Sequence, residues 1–416
     1  MSQLVKRGLV FALLILLISA CRLFSLPTTA VDVNPTKLAD NFEAITEAEQ
    51  EAIPVSPSGE PVISDNASKN NQDQPHNLLP FSLYYLSAGT DGTHQIWRME
   101  SNAKDTIPIT LEEYGVDGFD ISIDAGKIAY LTNNQIIISD LGGKFIRSLV
   151  VSQPNNGEDD WFITNRVSVP KWSPDGNLIA YGLNGLVLSN ADGSNTRTVL
   201  QNEVTTLNDG YTIIKEGYSP HSWSPDGKKL LVNILYFEGG SKGLYYPEDG
   251  SFLRLSGGDL CCFASWAPDS NKIYTSGKLY YFSSDMWEYS AATGHGTQLI
   301  PEKNDDGTFN FADFPFATDT HLFYGYASFT GEPPNSIPLT IYNAPILNPA
   351  ENNPLRSDAQ FLTEMLWAPD ASLVLGVQPP PGGPVYPNHG PVVLIYPDDT
   401  PIQPLLADGY HIRWGP

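Results

Sequence analysis

The chain carries seven histidines, three cysteines and an excess of acids. These side chains do most enzymatic and metal chemistry, and their spacing decides what they can do. His76, His94, His221, His295, His321, His389 and His411 include no H-E-x-x-H and no short-range pair suited to zinc. The string nearest to a nucleophile elbow, GYSPH at 217–221, lacks the second glycine of G-x-S-x-G, so Ser219 reads as a turn residue. NDDGTFNFAD (304–313) has acid spacing faintly like a calcium loop. It lacks the alternating aspartates and the closing glutamate, and reads as a connecting loop. No phosphate-binding or dinucleotide fingerprint is present. The chain is therefore expected to have no catalytic residue, no metal and no cofactor.

Cys261 and Cys262 are adjacent, and C-x-x-C spacing is absent. Two readings stand: a strained vicinal disulfide acting as an apolar platform or redox element, or two small buried thiols packing near Phe263. Neither makes a disulfide framework, so a packed core must hold the fold.

The elements that would position these residues are written in a repeat. KWSPDGNLIAYG (171–182) returns as SWSPDGKKLLVNI (222–234), SWAPDSNKIYTSG (265–277) and LWAPDASLVLGV (366–377). With the tryptophan as marker, the units fall at Trp172, Trp223, Trp266 and Trp367. Weaker copies take Ile121 in ISIDAGKIAYL and Phe316 in FPFATDTHLFYGY as marker, and the chain ends on Trp414. Ser-Pro-Asp-Gly favours a tight turn, because proline presets φ and glycine accepts a positive φ. Asp175 and its counterparts are expected to cap backbone amides in that turn. Each turn joins an inner strand to an apolar strand sandwiched between neighbouring sheets. A tryptophan wedged between sheets stabilises by roughly 2–3 kcal/mol or more.

The two ends of the array are complementary. FSLYYLSAGTDGTHQIWRMESNAKDTIPIT (81–110) supplies three strands without a first one, and YHIRWGP supplies a first strand with nothing after it. Together they make one unit if the last strand completes the first sheet. The expected fold class is all-β: a seven-bladed β-propeller of four-stranded antiparallel blades closed by the C-terminal strand, with six blades as the alternative.

These units resemble the WD-like repeats of TolB-type β-propellers over most of residues 81–416, strongly at four markers and weakly at three. The resemblance implies a propeller whose mouth binds ligands; a TolB propeller is usually six-bladed, so seven is a departure. By that topology, the segments entering the inner strands converge on one face. The possible ligand-facing residues there are Asp120, Arg166, His221, Cys261, Cys262, Asp313, Glu364 and His411, with Phe119, Trp161 and Tyr410 among them.

The N-terminus has a different texture. Lys6 and Arg7 precede an apolar run, GLVFALLILLISA, that ends in Ser19-Ala20-Cys21. This resembles a bacterial lipobox, which implies cleavage after residue 20 and acylation of Cys21. An ordinary secretory signal is the alternative. Residues 21–80 read as a lipidated, flexible, acidic linker with one amphipathic island at 36–53. The expected domains are thus 1–20, 21–80 and 81–416.

The net charge is −24, and loss of Lys6 and Arg7 with the leader would make it −26. Such acidity argues against a nucleic-acid partner. It also leaves acyl chains, rather than charge, to hold the membrane. The function expected is that of a monomeric, non-catalytic, extracytoplasmic module in the cell envelope, binding a protein, peptide or glycan. A polysaccharide lyase or hydrolase with His221, His411, Asp313 and Glu364 in the channel mouth is the alternative.

Overall fold

The structure is a computed structural model. It describes residues 77–416 apart from 157–160, 209, 211, 237–238, 258–262, 277–283, 332–336 and 381–388. Cys21, Cys261 and Cys262, the leader, and the linker up to residue 76 lie outside the described residues. Leu79, which the sequence reading left in the linker, is 1% exposed and packs with Leu83 and Met99, so the core reaches back past residue 81.

The described residues are almost wholly β, in antiparallel groups of four. The first three strands are β1 (Leu83–Ala88), β2 (His94–Met99) and β3 (Thr106–Pro108). Then come β4 (Gly118–Ser122), β5 (Lys127–Thr132), β6 (Gln135–Asp140) and β7 (Phe145–Val151), paired in that order. After one helical turn, α1 (Trp161–Thr164), the next group is β8 (Lys171–Trp172), β9 (Leu178–Gly182), β10 (Gly185–Asn190) and β11 (Arg197–Gln201). β12 (Glu203–Thr206) pairs with the start of the long β13 (Thr212–Trp223), whose end pairs with β14 (Leu230–Tyr236), followed by β15 (Gly239–Tyr245) and β16 (Phe252–Arg254). A further group is β17 (Phe263–Trp266), β18 (Lys272–Ser276), β19 (Met286–Ser290) and β20 (Gly296–Ile300). It is followed by β21 (Phe309–Ala317), β22 (His321–Phe329), β23 (Thr340–Pro345) and β24 (Asn353–Pro354). The last strands are β25 (Glu364–Trp367), β26 (Val374–Val377), β27 (Gly390–Ile395) and β28 (Gln403–Trp414).

The repeat reappears as register. Ile121 pairs with Ile128, Trp172 with Ile179, Trp223 with Leu230, Trp266 with Ile273, Phe316 with Phe323 and Trp367 with Val374, all at one offset. Trp414 pairs with Leu83. β28 therefore serves two sheets: its first part pairs with β27, and Tyr410–Trp414 pairs with β1.

The turns after Trp172, Trp223, Trp266 and Trp367 are the ones the sequence predicts. Gly176 N–H donates to Ser173 O at 2.9 Å, and Gly227 N–H to Ser224 O at 2.9 Å. Asp175 Oδ1 accepts from Ser173 Oγ at 2.5 Å and from Asn177 N at 3.1 Å, and Asp226, Asp269 and Asp370 repeat the backbone contact. Gly176 and Gly227 sit at φ +66° and +69°. Where glycine is missing, Ser270 and Ala371 accept the same left-handed backbone, at +61° and +58°.

Packing runs between successive groups. One apolar cluster joins Ala129 and Ile136 to Trp172 and Ile179, and another joins Ala180 and Leu188 to Trp223 and Leu230. The series continues through Leu231 with Tyr289, Tyr274 with Tyr324, and Ile341 with Trp367. It ends where it began: Leu375 and Leu394 pack with Leu83 and Tyr85, while Tyr84 and Ile96 pack with Ile128 and Tyr130. Indoles also hydrogen-bond across, Trp223 Nε1–H to Lys171 O at 3.1 Å and Trp414 Nε1–H to Trp367 O at 2.7 Å. The arrangement is propeller-like, with its core in the seams between sheets.

Candidate functional site

The first strand of each group runs from a leading end to the marker and its tight turn. Asp120, His221, Asp313, Glu364 and His411 lie in strands that carry a marker, and several of them are engaged by neighbouring backbone. Asp120 Oδ2 accepts the Trp172 N–H at 2.8 Å, tying β4 to β8. The Glu364 carboxylate accepts His411 N at 2.6 Å, Ile412 N at 3.1 Å and Arg413 Nη1 at 3.1 Å, tying β25 to β28. His411 Nε2–H donates to Phe119 O at 2.7 Å, and its ring lies 4.9 Å from that of Phe119, tying β28 to β4. These carboxylates and the imidazole satisfy amides and carbonyls that the irregular strand starts leave unpaired.

The structure thus brings Glu364, His411 and Phe119 together, in a bonding role. His411 is 3% exposed and Asp313 6%, so neither presents the ligand-facing surface expected of it. Asp313 Oδ1 accepts from Ser276 Oγ at 2.8 Å and from Phe314 N at 3.0 Å. Burial pushes its carboxyl up to about 7, because only neutral donors compensate the lost water. Burial also pulls the Arg166 guanidinium down, against the attraction of Asp117. His221 Nδ1 lies 3.0 Å from Ser222 Oγ at a bulge in β13. Trp161 Nε1–H donates to Gln153 O at 3.0 Å. Ser219 is not a turn residue: it lies within β13, paired with Asn233, because that strand extends well upstream of its marker. The acid string at 304–313 is a turn, in which Asp306 Oδ1 accepts Thr308 N at 2.9 Å, and then enters β21.

A second constellation escaped the sequence reading. It gathers Ser87 at the end of β1, His94 at the start of β2, His389 just before β27, and Asp408 and Tyr410 in β28. His389 Nδ1–H donates to Asp408 Oδ1 at 2.8 Å, and Ser87 Oγ–H donates to Asp408 Oδ2 at 3.1 Å. Tyr410 Oη and His94 Nδ1 share a hydrogen bond at 3.1 Å. The two imidazoles lie 5.7 Å apart, centre to centre, with the Tyr410 ring 5.2 Å from His94. The side chains of His389 and Asp408 are 36% and 35% exposed, so solvent reaches the cluster.

Its electrostatics split the two histidines. The hydrogen bond to Asp408 raises the pKa of His389 over the opposing effect of burial. Burial lowers that of His94, and the neighbouring His389 charge lowers it further. Burial pushes Asp408 upward, but the bond and charge of His389 outweigh it and hold the carboxylate below its ordinary range. Bonded through Nδ1 to Asp408, His389 when protonated carries its second N–H on Nε2. Neither Nε2 has a partner among the described residues. Ser87 bonds to the aspartate rather than to a histidine, so the group is not a nucleophile triad. Among the described residues no cluster of histidine, cysteine or acid side chains has metal-binding geometry. The cluster thus places two imidazoles beside the Tyr410 ring, with the bond to Asp408 favouring the protonated form of His389.

No family model and no curated protein matches the chain. Among solved structures it is similar to TolB from Acinetobacter baumannii, at 16% identity and a TM-score of 0.40 over 64% of this chain and 64% of that one. It is similar to a prolyl endopeptidase at 11% identity and 0.48, over 81% of this chain and 49% of the other. It is also similar to an oligogalacturonate lyase in complex with manganese, at 14% and 0.33, over 61% and 86%.

Proposed function

We propose that this chain is a seven-bladed β-propeller, closed by its last strand, that acts as a non-catalytic binding and scaffold module in the cell envelope. The constant marker register and the double pairing of β28 support the blade count and the closure. In this reading residues 1–20 are the leader, Cys21 carries the lipid and the segment up to residue 80 is the tether. The ligand is a protein, peptide or glycan presenting a carboxylate or similar acceptor.

One observation carries the binding assignment. Asp120, Glu364 and His411 are spent on bonds to neighbouring backbone, while among the described residues neither Nε2 of the His94–His389 pair has a partner, at a seam that solvent reaches. Binding is therefore expected to strengthen as pH falls through the raised pKa of His389, which adds a cationic donor. The enzyme alternative has no specific observation in its favour, since Glu364 and His411 are bonded to backbone and Asp313 is buried.

The test is affinity capture from envelope extracts with wild-type chain and with His389→Ala, at pH 6 and pH 8. A captured species retained better at pH 6, and lost in His389→Ala, is the expected result. Capture that ignores both the pH and the substitution would remove the assignment. Cys21→Ala should move the chain from the membrane to the soluble fraction; a variant that stays membrane-bound would refute the tether.

A further inference from the structure

The outermost strands of the sheets treat their free edges differently. β3 and β24 are short and end in proline, and β16 is short. These are ordinary ways of blunting an edge that would otherwise recruit another strand. β7 is longer and has no proline, and its one blunting device is a pair of bulges in its ladder with β6, between Ile136 and Ile137 and between Ile138 and Ser139. It runs FIRSLVV, pairs among the described strands with β6 alone, and leaves Phe145 60%, Ile146 41% and Val151 71% exposed. Its one cation, Arg147, is turned away to the carbonyl of Asp192.

At the start of this strand lies a cleft of about 330 Å³, lined by the connection from β3 to β4 and by the turn between β5 and β6. Ile137 and Phe145 line it on the sheet side, and Glu112, Glu113 and Tyr114 on the other. Tyr114 is 66% exposed, and Leu111 at the neighbouring position 88%. The charged residues lining the cleft are both acids. Glu112 is held by the Tyr130 hydroxyl through Oε1, at 2.6 Å, while the exposed Glu113 extends beside it.

We infer that the β7 edge takes an extended peptide strand of a partner protein, one alternating apolar and Lys or Arg side chains, by strand addition. The backbone edge supplies the pairing, Phe145 and Tyr114 the apolar seat, and the two glutamates the preference for cations. Charge decides against the chain's own candidates. A second copy brings a net −24, and the amphipathic island at 36–53 is itself acidic. This surface lies outside the histidine seam and goes beyond the binding role proposed for it.

The test uses the whole chain and a labelled short peptide alternating valine and lysine, with its valine–glutamate counterpart as control. Fluorescence anisotropy reads affinity, and amide exchange reads where the peptide lies. The lysine peptide should bind at least about ten-fold tighter than the glutamate one, with slowed exchange confined to 145–151. Phe145→Ser should abolish both effects, and Glu113→Lys should reverse the preference. Unaltered melting of each variant controls for folding, and should Phe145→Ser unfold, the exposed Glu113→Lys still decides the question. Equal binding of the two peptides, protection elsewhere, or no response to the substitutions would overturn the inference. So would self-association that Phe145→Ser abolishes in a chain that binds neither peptide.

Discussion

Replacing Asp313 by asparagine isolates one buried proton. Both hydrogen bonds to Asp313 fall on Oδ1, from Ser276 Oγ at 2.8 Å and Phe314 N at 3.0 Å, and an amide oxygen accepts them equally well. The substitution therefore keeps the shape and the bonds and removes only the capacity to ionise. In the unfolded chain this carboxyl titrates near 3.8, and in the fold near 7. Between those values the unfolded chain has released the proton while the fold still holds it. Stability from this site is thus greatest at low pH and falls as pH rises towards the folded value. Wild type should lose about 2–3 kcal/mol relative to Asp313→Asn between pH 5 and pH 8. Urea unfolding of both proteins, followed by tryptophan fluorescence at several pH values, measures that difference. A gap that stays constant from pH 5 to pH 8 would refute the buried-carboxyl account, and a gap of opposite slope would point to an unseen cationic partner.

Ala371→Gly should stabilise by about 0.5–1 kcal/mol, since alanine occupies a left-handed backbone there at +58° that glycine adopts without strain; thermal melting reads it. Glu364→Ala should cost about 2–3 kcal/mol, because it strips three donors, two of them backbone amides, of a charged acceptor; urea titration checks this. Ending the chain after Gly409 should leave the buried Leu83, Tyr84 and Leu86 without their pairing strand. It should abolish cooperative unfolding, and calorimetry of the truncated chain would show an undiminished transition if closure were unimportant.

The parts of the fold that were legible in the sequence are those set by contacts close along the chain. The turn after each marker depends on residues within a few positions, so Ser173, Asp175 and Gly176 announce it together. Even the weak unit at Phe316 was readable, because the Phe316–Phe323 pairing keeps the common offset. The role of Asp120 was not readable, since its partner is the Trp172 amide in another sheet and any acceptor of similar reach could serve. Ser219 was misread because the bulged β13 carries pairing past the point where the repeat stops. His94 and His389 were dismissed as unpaired because they are remote in sequence, although the expected pairing of YHIRWGP with 81–110 already placed Tyr410 near the start of β2. Carrying that pairing through side chain by side chain would have found the Tyr410–His94 contact.

That failure has a physical source, and it bears on function. Among the described residues, each of the other groups pairs strands that follow one another along the chain. The sheet joining β28 to β1 alone is made from the two ends of the chain. Closing so long a loop costs entropy that the Leu83–Trp414 ladder must offset. The His94, His389, Asp408 and Tyr410 cluster sits on this seam and draws on both sides of it. A ligand bridging the two imidazoles would stabilise the closed form by mass action, in proportion to the logarithm of its concentration over its dissociation constant. Saturating ligand should therefore slow amide exchange in β1 and β28 more than in β13 and β14, which are paired within one stretch. Uniform slowing across the sheets would mean that the ligand does not engage the seam, and would move the binding site elsewhere on the molecule.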